Sequence, residues 1–234
     1  MTPSFDAGGP LEYSGLAGGV ATRLRDAILS GRLQDGDRIV ERDVAAELQI
    51  SRGPIRDALK QLEHEGLVEL LPRRGARVAT LTAQEATEVL AIRSALEPLA
   101  VEMMLERGDS ELLAPLEECV KRLRAASNEG QWSALVSLDM EFHEMIFRQS
   151  GGKRLVRIWE FLRAPLLQTF RIHREFYDSG RTVYRSHRKL LDEIASGDVG
   201  RARAAAREHV LDLQPQLLRR LREQEGNELL TASG

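Results

Sequence analysis

Between Val20 and Ala79 the chain fits three helical periodicities and a hairpin signature into 60 residues, and few folds accommodate that order. Val20, Leu24, Ala27 and Ile28 recur at helical spacing, and Gly31 follows where a glycine ends a helix. Asp35 and Gly36 then signal a turn. Val44, Ala45 and Leu48 share one face of a short second helix over Glu41–Leu48. Ser51 is placed to cap a third helix reaching Glu65, with Ile55, Ala58, Leu59 and Leu62 as its apolar face and Gly66 as its stop. Leu67–Leu71 and Ala76–Thr80 are short β-prone runs joined by Pro72, Arg73, Arg74 and Gly75, so they read as a hairpin. Three short helices followed by a hairpin predict a winged helix-turn-helix over residues 19–80.

Such a module sets the N-terminal end of its last helix against base edges in the major groove. Here that end is Ser51, Arg52, Gly53, Pro54, Ile55 and Arg56. Arg52 and Arg56 are four apart and share a helix face, and arginine matches guanine O6 and N7 best. Small Gly53 and Pro54 let the backbone approach a phosphate. Arg42 opens the second helix within reach of the DNA backbone, and Arg73, Arg74 and Arg77 charge the wing. Residues 19–80 hold 11 basic and 10 acidic side chains. The module is therefore near neutral overall, and the basic groups on the third helix and wing form the footprint expected for phosphate binding.

From Glu85 onward only helical periodicity remains, opened by Thr82 and Glu85 at capping-box spacing. Breaks at glycine and asparagine positions leave helices near 84–107, 110–127, 131–149, 153–178, 181–196 and 199–223. The fold class read from the chain is thus mainly α, an N-terminal winged helix-turn-helix followed by a C-terminal antiparallel six-helix bundle over residues 83–223. Residues 1–18 read as a flexible leader and 224–234 as a frayed tail.

Four of the five histidines fall in this helical part. Asp139 and His143, four apart, flank the apolar stripe Leu135, Phe142 and Ile146. His187 shares a face with Val183, Leu190 and Ile194, and His209 with Ala202, Ala206 and Leu213. Inward polar groups demand partners. A divalent cation satisfies one carboxylate and three imidazoles together, and zinc leads, with nickel or manganese as alternatives. Separate core hydrogen bonds for each histidine are the other solution. Arg93 lies beside the apolar residues Val89, Ile92 and Leu96, where it would clamp a small carboxylate or form a salt bridge. Arg163, Arg171 and His173 sit on a helix placed to line the same cavity, with His173, in phase with Leu166, Phe170 and Tyr177, read as a core or supporting residue rather than a ligand. His64 reads as a solvated residue of the third helix.

The run LQDGDRIVERDVAAELQISRGPIRDALKQLEHEGLVELLPRRGARVA closely resembles the N-terminal domain of GntR-family regulators. By that resemblance Arg42, Arg52, Gly53, Arg56 and Gly75 fall on DNA-contacting positions. Val40 stands where many relatives have a capping serine, and Gln49 where a glycine is common. The helical part resembles the FCD effector domain of the FadR-type branch. LDMEFHEMIF, YRSHRKLLDEI and AAAREHV match the three segments that carry the metal ligands in its metal-binding members. Six helices rather than seven suggest the VanR-type subgroup. The resemblance also implies an effector-contacting arginine near Arg93.

The net charge of −3 excludes a polycation, and one cysteine, Cys119, excludes an intrachain disulfide and suits a reducing cytoplasm. No apolar run reaches the roughly 18 residues of a membrane span. Together these readings predict a cytoplasmic homodimeric regulator, a repressor, that binds a palindromic double-stranded operator and senses a small carboxylate at a metal site. Dimerisation is expected because one recognition helix reads few base pairs. A metal-dependent hydrolase and a purely structural zinc bundle are the alternatives. The hydrolase lacks an evident carboxylate to serve as general base.

Overall fold

The computed structural model describes residues 15–72, 74–108, 111–173, 180–212 and 214–232, with side chains at 171–173 and 224–232 left aside. It divides into two compact units, Met1–Thr80 and Leu81–Gly234. Arg73 and residues 1–14 of the expected leader lie outside the described residues.

The first unit runs α1 (Leu16–Leu29), β1 (Arg38–Ile39), α2 (Glu41–Leu48), α3 (Arg52–His64), β2 (Val68–Leu71) and β3 (Gly75–Val78). Val20, Leu24 and Ile28 of α1 and Ile55, Leu59 and Leu62 of α3 are buried, as their spacing predicts. Arg25 and Glu65 tie α1 to α3 through two hydrogen bonds of 2.8 and 2.6 Å. The hairpin β2–β3 is joined by β1, giving an antiparallel sheet in the order β1-β3-β2. Strand β1 pairs Arg38 with Arg77 and Ile39 with Ala76. Two residues carry too little pattern to announce a strand, and the sequence reading gave only a turn there.

Helix α1 starts at Leu16, ahead of the boundary expected at residue 19. Ser51 does occupy the N-cap position of α3 with extended backbone, but its side chain makes no capping bond. The first amides of α3 therefore lack the side-chain partner foreseen for them. Val40 likewise heads α2 with no side-chain cap.

Two positions carry special backbone demands. Gln49, at the turn between α2 and α3, has φ 55°, the left-handed region. Gly75 has φ +85°, and a Cβ there would stand 2.1 Å from the carbonyl oxygen of Ile39. Glycine at residue 75 is thus required both by backbone conformation and by the approach of β1.

The second unit contains α4 (Ala83–Glu106), α5 (Leu113–Asn128), α6 (Trp132–Gln149), α7 (Lys153–His173), α8 (Gly180–Ala195), α9 (Val199–Leu211) and α10 (Gln214–Ala232). The capping box opens α4: Glu85 N–H donates to Thr82 Oγ1 at 3.2 Å, and Thr82 N–H to Glu85 Oε2 at 2.9 Å. Helix α4 packs against α6, α7, α9 and α10, and α8 closes the opposite side against α5 and α9. The core is filled by Leu123, Phe142, Phe147, Trp159, Leu191 and Ile194.

This bundle has seven helices among the described residues where the periodicity suggested six. The expected helix 199–223 is divided after Leu211, with Asp212 in a turn. Pro215 explains the break, because it has no N–H for the Leu211 carbonyl and its ring crowds that group. The helix count therefore gives no support to the VanR-type subgroup. The tail expected to fray is helical through Ala232.

Gln49→Gly relieves the left-handed strain and raises the stability of the first unit by about 1 kcal/mol. Gly75→Ala lowers it by more than that, since the added methyl meets backbone. Urea midpoints of the two variants against the parent protein check both signs.

Candidate functional site

On the first unit, Arg42, Ser51, Arg52, Gly53, Arg56 and Arg74 are all exposed, and Pro54 is half-buried. Arg56 Nε donates to Glu41 Oε2 at 2.7 Å, joining α3 to α2. Its Nη groups remain available for an end-on contact. Arg77 Nη2 donates to Glu69 at 2.6 Å across the β2–β3 pair, and Arg42 Nε lies 3.3 Å from Asp43. Arg52 has no ion-pair partner among the described residues. Glu41, Arg56, Lys60 and Gly75 line one groove bounded by α2, α3 and the wing.

In the second unit, the four residues singled out as donors converge. Nitrogens of His143, His187 and His209 lie within 4.8 Å of one another. Asp139 Oδ1 is 3.1 Å from His187 Nε2, and its Oδ2 is 3.8 Å from His143 Nε2. His209 Nε2 is 3.1 Å from His143 Nε2. Helix α6 supplies Asp139 and His143, one turn apart, while α8 and α9 bring His187 and His209 to face them.

The outward nitrogens are held as well. His187 Nδ1 lies 2.8 Å from the Val183 carbonyl oxygen. A carbonyl only accepts, so that nitrogen carries the proton. In the neutral ring Nε2 is then a bare lone pair, facing a carboxylate oxygen at 3.1 Å. Two acceptors at that distance require a proton or a cation between them. His187 Nε2 and Asp139 Oδ2 are indeed buried without a hydrogen-bond partner. His209 Nδ1 is 2.8 Å from Ser186 Oγ. His143 Nδ1 lies 2.7 Å from Glu97 Oε1, a short approach angled away from a straight hydrogen bond. Each imidazole thus has an outer partner that turns its other nitrogen inward, the arrangement that orients metal-binding histidines.

The electrostatics point the same way. Burial, reinforced by Arg93, holds the His143 imidazole well below its ordinary pKa. Burial, then His187 and His143, does the same for His209. Both rings are therefore neutral and present lone pairs. Burial resists ionisation of Asp139, but His187, His143 and Arg93 overcome it and lower its pKa. One carboxylate and three imidazoles form a donor set suited to a divalent cation.

Arg93 is 6 % exposed. Its Nε donates to Glu97 Oε2 at 2.7 Å, while Nη2 is buried without a partner. A cavity of about 40 Å³ adjoins the cluster, lined by Arg93, Asp139, Thr169, Ser186, His187 and His209. It shares Thr182, Ser186, His209 and Asp212 with an outer groove of about 270 Å³ between α8 and α9.

Several sequence expectations change here. Ile92 is 44 % exposed and Leu96 half-buried, so the inward face of α4 is Val89, Leu90, Arg93, Glu97 and Val101 instead. Helix α7 does line the cavity, through Thr169 and Phe170, while Arg163 pairs with Glu144 at 3.5 Å and is not among the lining residues. The side chains of Arg171 and His173 lie outside the described residues. Glu97 was missed, although its spacing from Arg93 and Val101 along α4 was the available signal. Cys119 is no ligand: its Sγ contacts the Leu138 carbonyl at 3.4 Å, and burial pushes the thiol up to about 12.

Residues 16–78 match the bacterial regulatory proteins of the gntR family, and residues 88–212 match the FCD domain. The chain belongs to the GntR family of transcriptional regulators, FCD branch. It is 31% identical to the HTH-type transcriptional regulator YdhC of Bacillus subtilis, over 81% of this chain and 83% of the relative. It is 29% identical to the gluconate operon transcriptional repressor of Bacillus licheniformis, covering 76% and 75%. The solved structure of Escherichia coli McbR/YncC shares the fold with TM-score 0.68 and 22% identity, over 88% of this chain and 98% of that one. These relatives make this GntR-family protein a transcription factor rather than an enzyme.

In the metal-free regulator the two depressed histidines give stability a definite pH dependence. The unfolded chain takes up protons below about pH 6.5 that folded His143 and His209 refuse. Stability is therefore complete above that pH and is lost as pH falls through it. A drop from pH 7.5 to 5.5 is expected to cost about 2–3 kcal/mol, roughly 1.4 for each histidine. Urea unfolding in the presence of a chelator at the two pH values measures it, and His143→Gln flattens the slope.

Proposed function

We propose that this GntR-family protein is a homodimeric, ligand-responsive repressor in which a divalent cation held by Asp139, His143, His187 and His209 senses a small carboxylate. The observation that carries the reading is the His187 Nε2–Asp139 Oδ1 approach at 3.1 Å, a buried contact that needs a proton or a cation between its atoms, with Asp139 Oδ2 beside it also lacking a partner. The ion, zinc first and nickel or manganese next, would supply a positive centre for an anionic oxygen. Arg93 would hold the carboxylate through its unpartnered Nη2. The inner cavity of about 40 Å³ has room for an ion and little else. An effector of several heavy atoms would therefore extend into the groove between α8 and α9, past Thr182 and Ser186. The gluconate operon repressors among the relatives make sugar acids the first class to try.

DNA recognition is assigned to the exposed basic face of the first unit. Arg52 and Arg56 would read bases, while Arg42, Arg74 and the backbone N–H groups of Ser51 and Gly53 would hold phosphates, with Pro54 starting the helix beside them and Gly75 keeping the wing in shape. Pairing of Arg56 with Glu41 suits an end-on contact to guanine. A dimer would double the site and supply the affinity one near-neutral module lacks. The exposed faces of α4 and α7 favour one: Ile92, Leu99 and Ile158 are 39–44% exposed and Phe161 85%, a large apolar surface on two helices that pack side by side.

Three outcomes are expected. Fluorescence anisotropy on the protein's own promoter fragment shows salt-dependent binding, which Arg52→Ala weakens by about 1–3 kcal/mol. Gluconate shifts that binding only in the metal-loaded protein, and Arg93→Ala abolishes the shift. Sedimentation equilibrium gives a dimer, and Phe161→Glu gives a monomer that keeps its helical content. Binding that ignores salt, or a gluconate response that persists after chelation, contradicts the proposal.

A further inference from the structure

Glu97 has no exposed surface at all, and its carboxylate lies between Arg93 and one histidine of the cluster, His143. Its two oxygens are divided between two obligations. Oε2 accepts from Arg93 Nε at 2.7 Å. Oε1 stands 2.7 Å from His143 Nδ1, on the side of the ring away from His187 and His209.

We infer that Glu97 is a positioning residue that fixes the tautomer of His143 and thereby keeps the cluster competent for a cation; this rests on the metal reading above. A carboxylate oxygen can only accept, so the ring proton of His143 must sit on Nδ1. That leaves the Nε2 lone pair directed at His209 Nε2, 3.1 Å away, and at Asp139. With His143 fixed, His209 satisfies the metal-free state by carrying its proton on Nε2 and donating it to His143. Ser186 then donates its hydroxyl to His209 Nδ1, 2.8 Å distant. Binding a cation requires only that the His209 proton transfer to Nδ1, with Ser186 turning to accept it. Glu97 thus sets the polarity of a chain that runs Glu97, His143, His209, Ser186.

A glutamine in place of Glu97 reverses that chain with hardly any change in volume. Arg93 Nε always donates, so the amide oxygen must face Arg93. The amide NH2 is then left facing His143 Nδ1, which must accept. The proton moves to His143 Nε2, where it points into the cluster and occupies the lone pair a cation would use. Removing such an outer partner of a metal-binding histidine costs typically 10- to 100-fold in metal affinity.

The test uses the full chain labelled with 15N-histidine, stripped of metal, with long-range 1H–15N spectra at neutral pH and zinc affinity by competition with a chromophoric chelator. The parent protein is expected to show His143 protonated at Nδ1. Glu97→Gln is expected to show it protonated at Nε2, with zinc affinity lower by 10- to 100-fold. A variant that melts earlier but keeps both the tautomer and the zinc affinity overturns the inference, since Glu97 would then serve packing alone. So does a parent protein protonated at His143 Nε2, a result that stands even if the variant does not fold. A parent protein with the expected tautomer but no zinc uptake upholds the role of Glu97 in setting the tautomer and overturns the metal reading instead.

Discussion

The helical unit depends on one uneasy contact, the approach of the His187 imidazole to the Asp139 carboxylate in a place with almost no water. A buried carboxylate loses several kcal/mol of hydration and recovers it only through partners. Here the nearest partners are imidazoles, and burial keeps two of them from charging. A fully apolar interior would be more stable on these grounds. Retaining five polar side chains, Arg93, Glu97, Asp139, His143 and His187, at the centre of the bundle makes sense when something binds there. The outer partners sharpen that conclusion. Val183, Ser186 and Glu97 each hold the far side of one ring, so the convergence is built from two layers of contacts rather than from three histidines that happen to meet.

Helix α4 shows how one segment serves the site and another purpose together. Its inward face carries Arg93 and Glu97 among Leu90, Val101 and Met104, while Ile92 and Leu99 look outward. Apolar residues therefore lie on both sides of the helix. The same is true of α7, where Trp159 is fully buried and stacks on Phe147 while Phe161 is almost fully exposed. On the proposed dimer, the helices that cover the outward face also back the site, so a ligand beside Arg93 would press on a helix shared with the subunit contact. In the first unit the division of labour is simpler. A small apolar core fixes α3 against α1, and of the exposed arginines on α3 and the wing Arg56 and Arg77 are restrained by carboxylate neighbours.

Much of this was legible in the sequence, for physical reasons that can be named. The helix-turn-helix was readable because its helices are amphipathic and its hairpin is bracketed by glycine and proline. Asp139, His143, His187 and His209 were readable because each shares a phase with buried leucines, isoleucines or alanines. Glu97 was not, since a lone glutamate on a helix reads as solvated until its neighbour Arg93 is known to be buried too. The inward face of α4 was misplaced for the reason just given: with apolar residues all round, periodicity has no preferred side. Strand β1 was too short to show alternation. The missing seventh helix turned on Pro215, whose effect on the Leu211 carbonyl outweighs a periodicity that continues across it.

The central claim, that Asp139 and the three histidines hold a divalent cation, is tested most directly by anomalous diffraction from crystals grown without chelator, recorded on both sides of the zinc absorption edge. The account predicts one anomalous peak per chain, bounded by the inward nitrogens of His143, His187 and His209 and by a carboxylate oxygen of Asp139. A map with no peak there, and with ordered water or a direct hydrogen bond joining His187 to Asp139 in protein shown by elemental analysis to have been exposed to zinc, would contradict it.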